Sequence, residues 1–525
     1  MIEKSEERRK IMPRKHRAKN ALSAGERAAL YEAEQAQKRA KMISGKADGG
    51  SNPDYAEDGV VKTETAKAGK KKPELKKPQF ATVRVDLSEP MGAIKPMHGM
   101  CNGPVSYGAD ISSLFSEIGV PLVRFDSTDT AVSGYAVDIS RIYKDFSSDP
   151  RDAASYDFAY TDKYVAAAYN AGTRVIFRLG ESFDRMYSGK SSKLPDDIDA
   201  FVEVCANIVR HYNDYFAEGF AYGIEYFEIL GDISAYSDGR ERIFEFYRRV
   251  ASALKLIDNS LKVGGPCFSE QSDLREFLRF CRKTHAPLDF LTLSIFGSDP
   301  RDAAEHVREI IPAIHNLGFS NVEIIIGAWS FIDKEALGSL SLERIITGAG
   351  SEHAEARRAL FESMTSVKGA AYALAFMLSL GSLREVSAAC FYDAQPSLSP
   401  WCSICDRFGN PEKSFYAFRA YGELFRAGRE LYSFCEEQPG FAHSGIYSLA
   451  AEGIDAKYVL LTSFDGCGTV DLRLDGIPND AYTADIYMLD GVKNMTLADS
   501  VPLSGDKKRL ILNISRFGAA MVKIY

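Results

Sequence analysis

Tyr226-Phe227-Glu228-Ile229-Leu230-Gly231-Asp232-Ile233-Ser234 reads as a short strand running into a polar turn. Bulky residues up to Leu230 suit a pleated segment, and Gly231 punctuates it. A helical pattern follows from about Arg240 to Leu256. Asp232 is the carboxyl at the tip of this strand–turn–helix unit.

Outward from it the same unit repeats. Strands are expected near Lys95–Met100, Leu122–Phe125, Arg174–Leu179, Glu225–Leu230, Lys262–Gly264, Phe290–Ile295, Val322–Ile326 and Val386–Tyr392. Helical patterns separate them, such as Ile111–Ile118, Thr161–Ala171, Ile198–Tyr215 and Ala303–Leu317. Eight such alternations predict an α/β fold, a (β/α)8 barrel over 93–428. A doubly wound open sheet would alternate too, but no Gly-rich phosphate turn follows the first strand and no Walker pattern is present. After Arg429 the period changes to short strand-like runs, from Gly445–Ala450 to Ala519–Ile524, which predict a C-terminal β-sandwich over 429–525. Phe80–Leu87 alternates like a half-buried strand, and 79–92 is expected to join that sandwich.

The 525 residues carry a net charge of −8, unevenly spread. Residues 1–80 hold 20 Lys+Arg against 12 Asp+Glu, which is +8 and leaves −16 for the rest. Residues 1–78 are poor in aromatics and rich in Lys, Gly and Ser, so they read as a basic flexible arm. Ser23-x-x-Glu26 fits a capping box, and a helix over 23–43 is compatible with it. Such an arm suits an acidic partner or an assembly, with nucleic acid less favoured; oligomeric state is not legible. There is no apolar run of about 18 residues to span a membrane, and the charged start lacks a secretory h-region, so the expected compartment is the cytoplasm. The nine cysteines are scattered, and Cys402-x-x-Cys405 has no second pair, which points to packed thiols rather than a metal site. No HExxH and no Gly-x-Ser-x-Gly occurs; no cofactor and no metal are expected.

Six motifs follow one another along these strands: His98-Gly99-Met100-Cys101-Asn102-Gly103-Pro104, Val123-Arg124-Phe125-Asp126, Phe177-Arg178-Leu179-Gly180-Glu181-Ser182, Val263-Gly264-Gly265-Pro266, Leu288-Asp289-Phe290 and Phe391-Tyr392-Asp393-Ala394 with Trp401-Cys402. In that order they resemble glycoside hydrolase family 39, the clan-A retaining glycosidases that include β-xylosidases. The resemblance implies a carbohydrate ligand and two carboxyls about 5–5.5 Å apart, one an acid/base and one a nucleophile. It places the acid/base, Glu after Asn in the family, on Asp232 after Gly231. It places the nucleophile on Ala328, which cannot attack. The family's His and Tyr of the sixth strand fall on Ser294 and Phe296.

These departures cluster on the catalytic face while the framework motifs persist. The expectation is therefore a pseudo-glycosidase with a carbohydrate-binding or scaffold role. Two alternatives stand beside it: an active hydrolase using Asp232 with a base from Asp126, Glu181 or Asp393, and an assembly part docked through the arm. Asp126 or Glu181 is expected to pair with Arg124, and Glu228, sharing the parity of Asp232, with an arginine inside the barrel. Asn102, Arg124, Glu181, Gly231, Ser294, Phe296, Tyr392 and Asp393 are the expected sugar-contact positions. Trp329 and Trp401 join them as aromatic platforms, with Tyr236, Phe183 and Phe268 on comparable loops.

Overall fold

The computed structural model describes residues 76–525, apart from 107, 127–135, 183–191, 234–235, 269–270, 339, 341–350, 396–400, 440, 478–481 and 505–507. The expected helix at 23–43 and nearly all of the basic arm lie outside the described residues.

Strand β1 (Ala81–Ala93) opens the described chain. Eight parallel strands then close into a barrel: β2 (Gly99–Cys101), β3 (Leu122–Arg124), β4 (Arg174–Gly180), β5 (Tyr226–Leu230), β6 (Lys262–Phe268), β7 (Phe290–Gly297), β8 (Glu323–Phe331) and β9 (Val386–Phe391). Each neighbour in sequence is the neighbour in the sheet, and β9 returns to β2. The helices between them include α1 (Ser112–Ile118), α2 (Ala159–Asn170), α3 (Ile198–Asn213), α4 (Arg240–Ile257), α5 (Gln271–Thr284), α6 (Pro300–Asn316), α7 (Ser351–Thr365), α8 (Val367–Gly381) and α9 (Lys413–Ala427).

Alternation sets the two surfaces of the barrel wall. In β7, Thr292 and Ser294 face the axis, while Leu291, Leu293 and Ile295 join the apolar layer under the helices. Two strands run further than their sequence suggests. Gly264-Gly265-Pro266 looks like a turn, yet β6 continues to Phe268. Gly327 looks like a strand end, yet it is the extra residue of a bulge and β8 continues to Phe331.

The remaining strands are β10 (Arg429–Cys435), β11 (Ile446–Glu452), β12 (Lys457–Phe464), β13 (Thr469–Asp475), β14 (Tyr482–Leu489), β15 (Asn494–Leu503), β16 (Arg509–Asn513) and β17 (Phe517–Ile524). With β1 they form one nine-stranded sheet in the order β15-β14-β17-β12-β11-β10-β1-β13-β16, with an apolar core of its own, as in a β-sandwich. Strand β1 lies antiparallel to β10 and parallel to β13, and it reaches Ala93 through register shifts around Pro90. Helix α8 explains the junction. Its residues are apolar almost all round because β8 and β9 cover one side while β12 and β17 cover the other. In β12, Val459 and Leu461 turn into the sheet's own core and Leu460 turns toward the barrel.

Candidate active site

The barrel axis is filled by charge rather than by hydrocarbon. Arg124 on β3 donates from Nε to Glu228 Oε2 at 2.7 Å and from Nη2 to Oε1 at 3.1 Å. Thr292 Oγ1 donates to the same Glu228 carboxylate at 2.5 Å. Asp126 approaches Arg124 Nη1 at 3.5 Å. Arg124, Glu228 and Asp126 are all buried. Burial pulls the guanidinium down, but Glu228 and then Asp126 hold it well above its ordinary value. Both expectations for Arg124 are met in this cluster, the pairing of Glu228 and that of Asp126.

Gly327 belongs to the same layer. A Cβ there would stand 3.2 Å from Arg124 Nε and 3.1 Å from Thr292 Cβ, so the arginine fills the space a side chain would need. The bulge at Gly327 also sets the next two positions. Ala328 pairs in register with Ser294 and is fully buried. Trp329 turns outward, stacks on Phe376 of α8 at 4.1 Å and meets Phe418 of α9. Trp329 is therefore a core residue between barrel and helices, not a platform for sugar. Trp401 is likewise fully buried, edge-on to Phe361 of α7. Phe268 packs on Phe277 of α5. Phe183 lies outside the described residues.

Strand β5 ends in two left-handed residues, Leu230 (φ 73) and Gly231 (φ 68). A Cβ on Gly231 would fall 2.6 Å from Arg178 Cδ, so the arginine of β4 lies where an asparagine would stand. Arg178 Nη2 donates to Asp138 Oδ1 at 2.7 Å and to Ser182 Oγ at 3.1 Å. Its Nε and Nη1 have no hydrogen-bond partner among the described residues. Asp232 follows, 6% exposed, and bridges in parallel to Cys267.

Cys267 is a neighbour that the sequence reading missed, because Gly265-Pro266 before it looked like the end of the strand. Its thiol lies 3.2 Å from Ser294 Oγ. Burial first, with Glu228 and Asp232 adding and Arg124 opposing, pushes the thiol up to about 12. A thiol so held is not a thiolate nucleophile near neutrality.

The other rim residues are tied to their surroundings. Asn102 Oδ1 accepts from the Asp126 amide at 3.0 Å. Glu181 accepts from the Ser140 amide and hydroxyl, both at 2.8 Å, while its own amide donates to the Tyr236 hydroxyl at 2.8 Å. Asp393 accepts from Gln395 Nε2 at 3.2 Å. Phe296 and Tyr392 meet edge to face at 6.0 Å. His98 lies apart from this rim, beneath the barrel wall, with Nε2 3.1 Å from Gly119 O. Cys402 and Cys405 are buried with sulfurs 4.0 Å apart. Among the described residues no group of three His, Cys, Asp or Glu could hold a metal, and no helix is long and apolar enough to cross a membrane.

With this geometry in view, comparison with known proteins is direct. Residues 131–317 match the model of glycosyl hydrolases family 39. That stretch is homologous to the family-39 glycosidases; it begins ahead of α2, ends at α6, includes Asp232 and stops before Ala328. The chain is 25% identical over 176 residues to a beta-xylosidase of Geobacillus stearothermophilus, covering 30% of this chain and 34% of that protein. It is 34% identical over 59 residues to a beta-xylosidase of Caldicellulosiruptor saccharolyticus, covering 11% and 12%. The matched stretches thus span about a third or less of those relatives. Among solved structures, a glucosidase from Croceicoccus marinus superposes with a TM-score of 0.67 at 20% identity, covering 85% of this chain and 99% of that one. A monomeric beta-xylosidase from Caulobacter crescentus gives 0.57 at 14% identity, covering 84% and 99%. At such identities the structures establish the shared fold.

Proposed function

We propose that this chain is a family-39-like barrel that binds carbohydrate at the open end of the barrel without hydrolysing it. The observation that carries the reading is Ala328, a buried methyl facing Ser294 at the position where the resemblance puts the nucleophile. Retaining hydrolysis needs two carboxyls about 5–5.5 Å apart, and Ala328 removes one of them. The neighbourhood supports the same reading. Arg124 is already neutralised by Glu228 and Asp126, so the charge that would steady a nucleophile or a developing anion is spoken for. Cys267, the thiol beside Ser294, is held protonated. Asp232 keeps a carboxyl, one methylene shorter than glutamate, and a displacement near 1 Å can cost about 100-fold in rate. Asp126, Glu181 and Asp393, the bases an alternative hydrolase would recruit, are each engaged by the hydrogen bonds and ion pair described above.

The test is hydrolysis of aryl β-D-xylosides and aryl β-D-glucosides by the full chain across pH 4–8, beside Asp232→Asn. No release above the Asp232→Asn background is expected, together with calorimetric binding of xylo-oligosaccharides. Turnover that Asp232→Asn abolishes would overturn the reading in favour of an active hydrolase with a relocated base.

A further inference from the structure

The barrel covers only part of the nine-stranded sheet. Helices α8 and α9 pack on β11, β12, β14, β15 and β17, and Leu449 and Leu460 on that side belong to the barrel's core. Strands β10, β1, β13 and β16 carry the same side of the sheet past this cover. Their other side is the sheet's own core, into which Val83, Val85, Leu472, Leu474, Leu510 and Leu512 turn.

The residues between those core positions line up in rows across the four strands. Phe434, Arg84, Arg473 and Arg509 stand abreast in one row. Tyr432, Asp86 and Asp475 form the next row on one side. Thr82, Asp471 and Ile511 form the row on the other side, with the Glu436 amide bonded to Thr82 O.

Two features leave this face incomplete. The first is apolar. Phe80 and Phe434 are each 48% exposed and Ile511 is 54% exposed. Scattered singly such side chains are ordinary, but these share one face with the stems of three arginines. The second is charge. Glu436 answers Arg84, while Asp471 alone answers both Arg473, at 2.9 Å, and Arg509. Asp86 accepts from the Ser88 amide at 2.8 Å and its hydroxyl at 2.6 Å. Asp475 is exposed and has no ion pair among the described residues, acting on Arg84 at longer range.

Three arginines and four carboxylates make the face nearly neutral, so it selects neither an acidic nor a basic partner. What it has instead is sorting by row, cations in one and anions in those beside it. A face sorted in this way is complementary to a copy of itself turned end for end. We propose that this face is where two copies of the chain associate, about a two-fold axis lying across the strands between the arginine row and the Asp86–Asp475 row. Such an axis sets Arg84 over Asp86 of the partner subunit, Arg473 over Asp475 of the partner subunit, and Phe434 over Tyr432 of the partner subunit. Strands about 4.8 Å apart, with outward residues spaced about 6.7 Å along each, give a patch of roughly 500 Å² per copy. Two copies then bury about 1,000 Å², the lower bound for a specific interface, so the dimer is weak and depends on concentration. Nothing in it depends on what the barrel does to a sugar.

Sedimentation equilibrium of the full chain over a wide concentration range tests it, with wild type, Asp475→Arg, Arg473→Asp and Phe434→Ala. Ile454→Ala serves as the control, at an exposed apolar side chain in the turn between β11 and β12. Wild type and the control are expected to pass from monomer to dimer as concentration rises. Asp475→Arg and Arg473→Asp should each dimerise at least tenfold more weakly. An equimolar mixture of the two should associate as wild type does, because each offers the charge the other lacks. Phe434→Ala should weaken the dimer severalfold. Asp475→Arg and Phe434→Ala change exposed side chains, so they remain informative should Arg473→Asp, beside Asp471, fail to fold. A chain that stays monomeric at every concentration overturns the proposal. So does a dimer that Asp475→Arg and Phe434→Ala leave intact. A monomer retained on insoluble xylan through Phe434 overturns it too, and assigns the face to a polysaccharide.

Discussion

Replacing His98 by glutamine removes a titrating group that the fold keeps neutral. The imidazole is fully buried between Tyr421 and Phe425, and its Nδ1 has no partner. Burial pushes it down to about 3, against the opposing pull of the hydrogen bond with Gly119 O and with Arg426 adding least. The unfolded chain binds the proton near pH 6.5, so below that pH the unfolded state holds more protons than the folded one. Stability is therefore in place above pH 6.5 and is lost as pH falls toward 3. Linkage between those two values gives a loss of about 2 kcal/mol at pH 5 and about 3 kcal/mol at pH 4, relative to pH 8. The glutamine amide can still donate to Gly119 O but cannot titrate. Both tryptophans, Trp329 and Trp401, are buried in the barrel, so their fluorescence in a urea series follows the barrel alone. Between pH 8 and pH 5 the wild-type barrel should lose about 2 kcal/mol more than His98→Gln. Other acid-sensitive groups, His306 and His443 among them, are common to both proteins and cancel. Parallel pH profiles for the two would refute a neutral, proton-excluding His98.

Three further outcomes follow from the barrel interior. Glu228→Gln leaves the buried Arg124 with Asp126 alone and should cost about 3–5 kcal/mol by urea denaturation. Trp329→Ala should cost about 3–5 kcal/mol of stability while leaving saccharide affinity in calorimetry unchanged, because the ring packs on Phe376 and Phe418. Gly231→Asn should destabilise by about 1–3 kcal/mol through the clash with Arg178 Cδ, and Gly231→Asn with Arg178→Ala should recover part of it in a double-mutant cycle.

The fold was legible because alternation of apolar runs and amphipathic stretches is a strong, repeated signal. All eight barrel strands overlap the stretches that signal marked, the first by only two residues, and β1 pairs within the C-terminal sheet. What the sequence hid was local backbone geometry. Gly327 inserted as a bulge, so Ala328 kept the axis and Trp329 was sent to the helices. A reading that assigns tryptophans at strand tips to sugar could not foresee one extra residue. Gly264-Gly265-Pro266 continued a strand instead of ending it, which brought Cys267 beside Asp232 and Ser294. The pairing of Glu228 with an arginine was legible, since strand parity alone pointed it at the axis.

On the proposed reading, the departures from the family pattern are not independent of one another. Arg178 crosses the end of β5, and the residue it crosses is Gly231, the one position where an asparagine would be expected and where no Cβ fits. Arg124 fills the space beside Gly327, and the next residue is Ala328, where a glutamate would be expected. In both places an arginine occupies room beside a glycine, and each arginine is anchored by a buried carboxylate, Asp138 for one and Glu228 for the other. Scattered loss of catalytic residues would leave holes, which are costly in a packed interior. Here the space is filled and most of the charge is paired, which under the proposed reading is how the interior accommodates the absence of those groups. Restoring Asp232→Glu and Ala328→Glu together should therefore yield a destabilised barrel rather than a working hydrolase, since a carboxylate at 328 must displace packed neighbours in a fully buried position. Xyloside turnover gained by that double variant without loss of stability would show instead that the interior is only one step removed from catalysis.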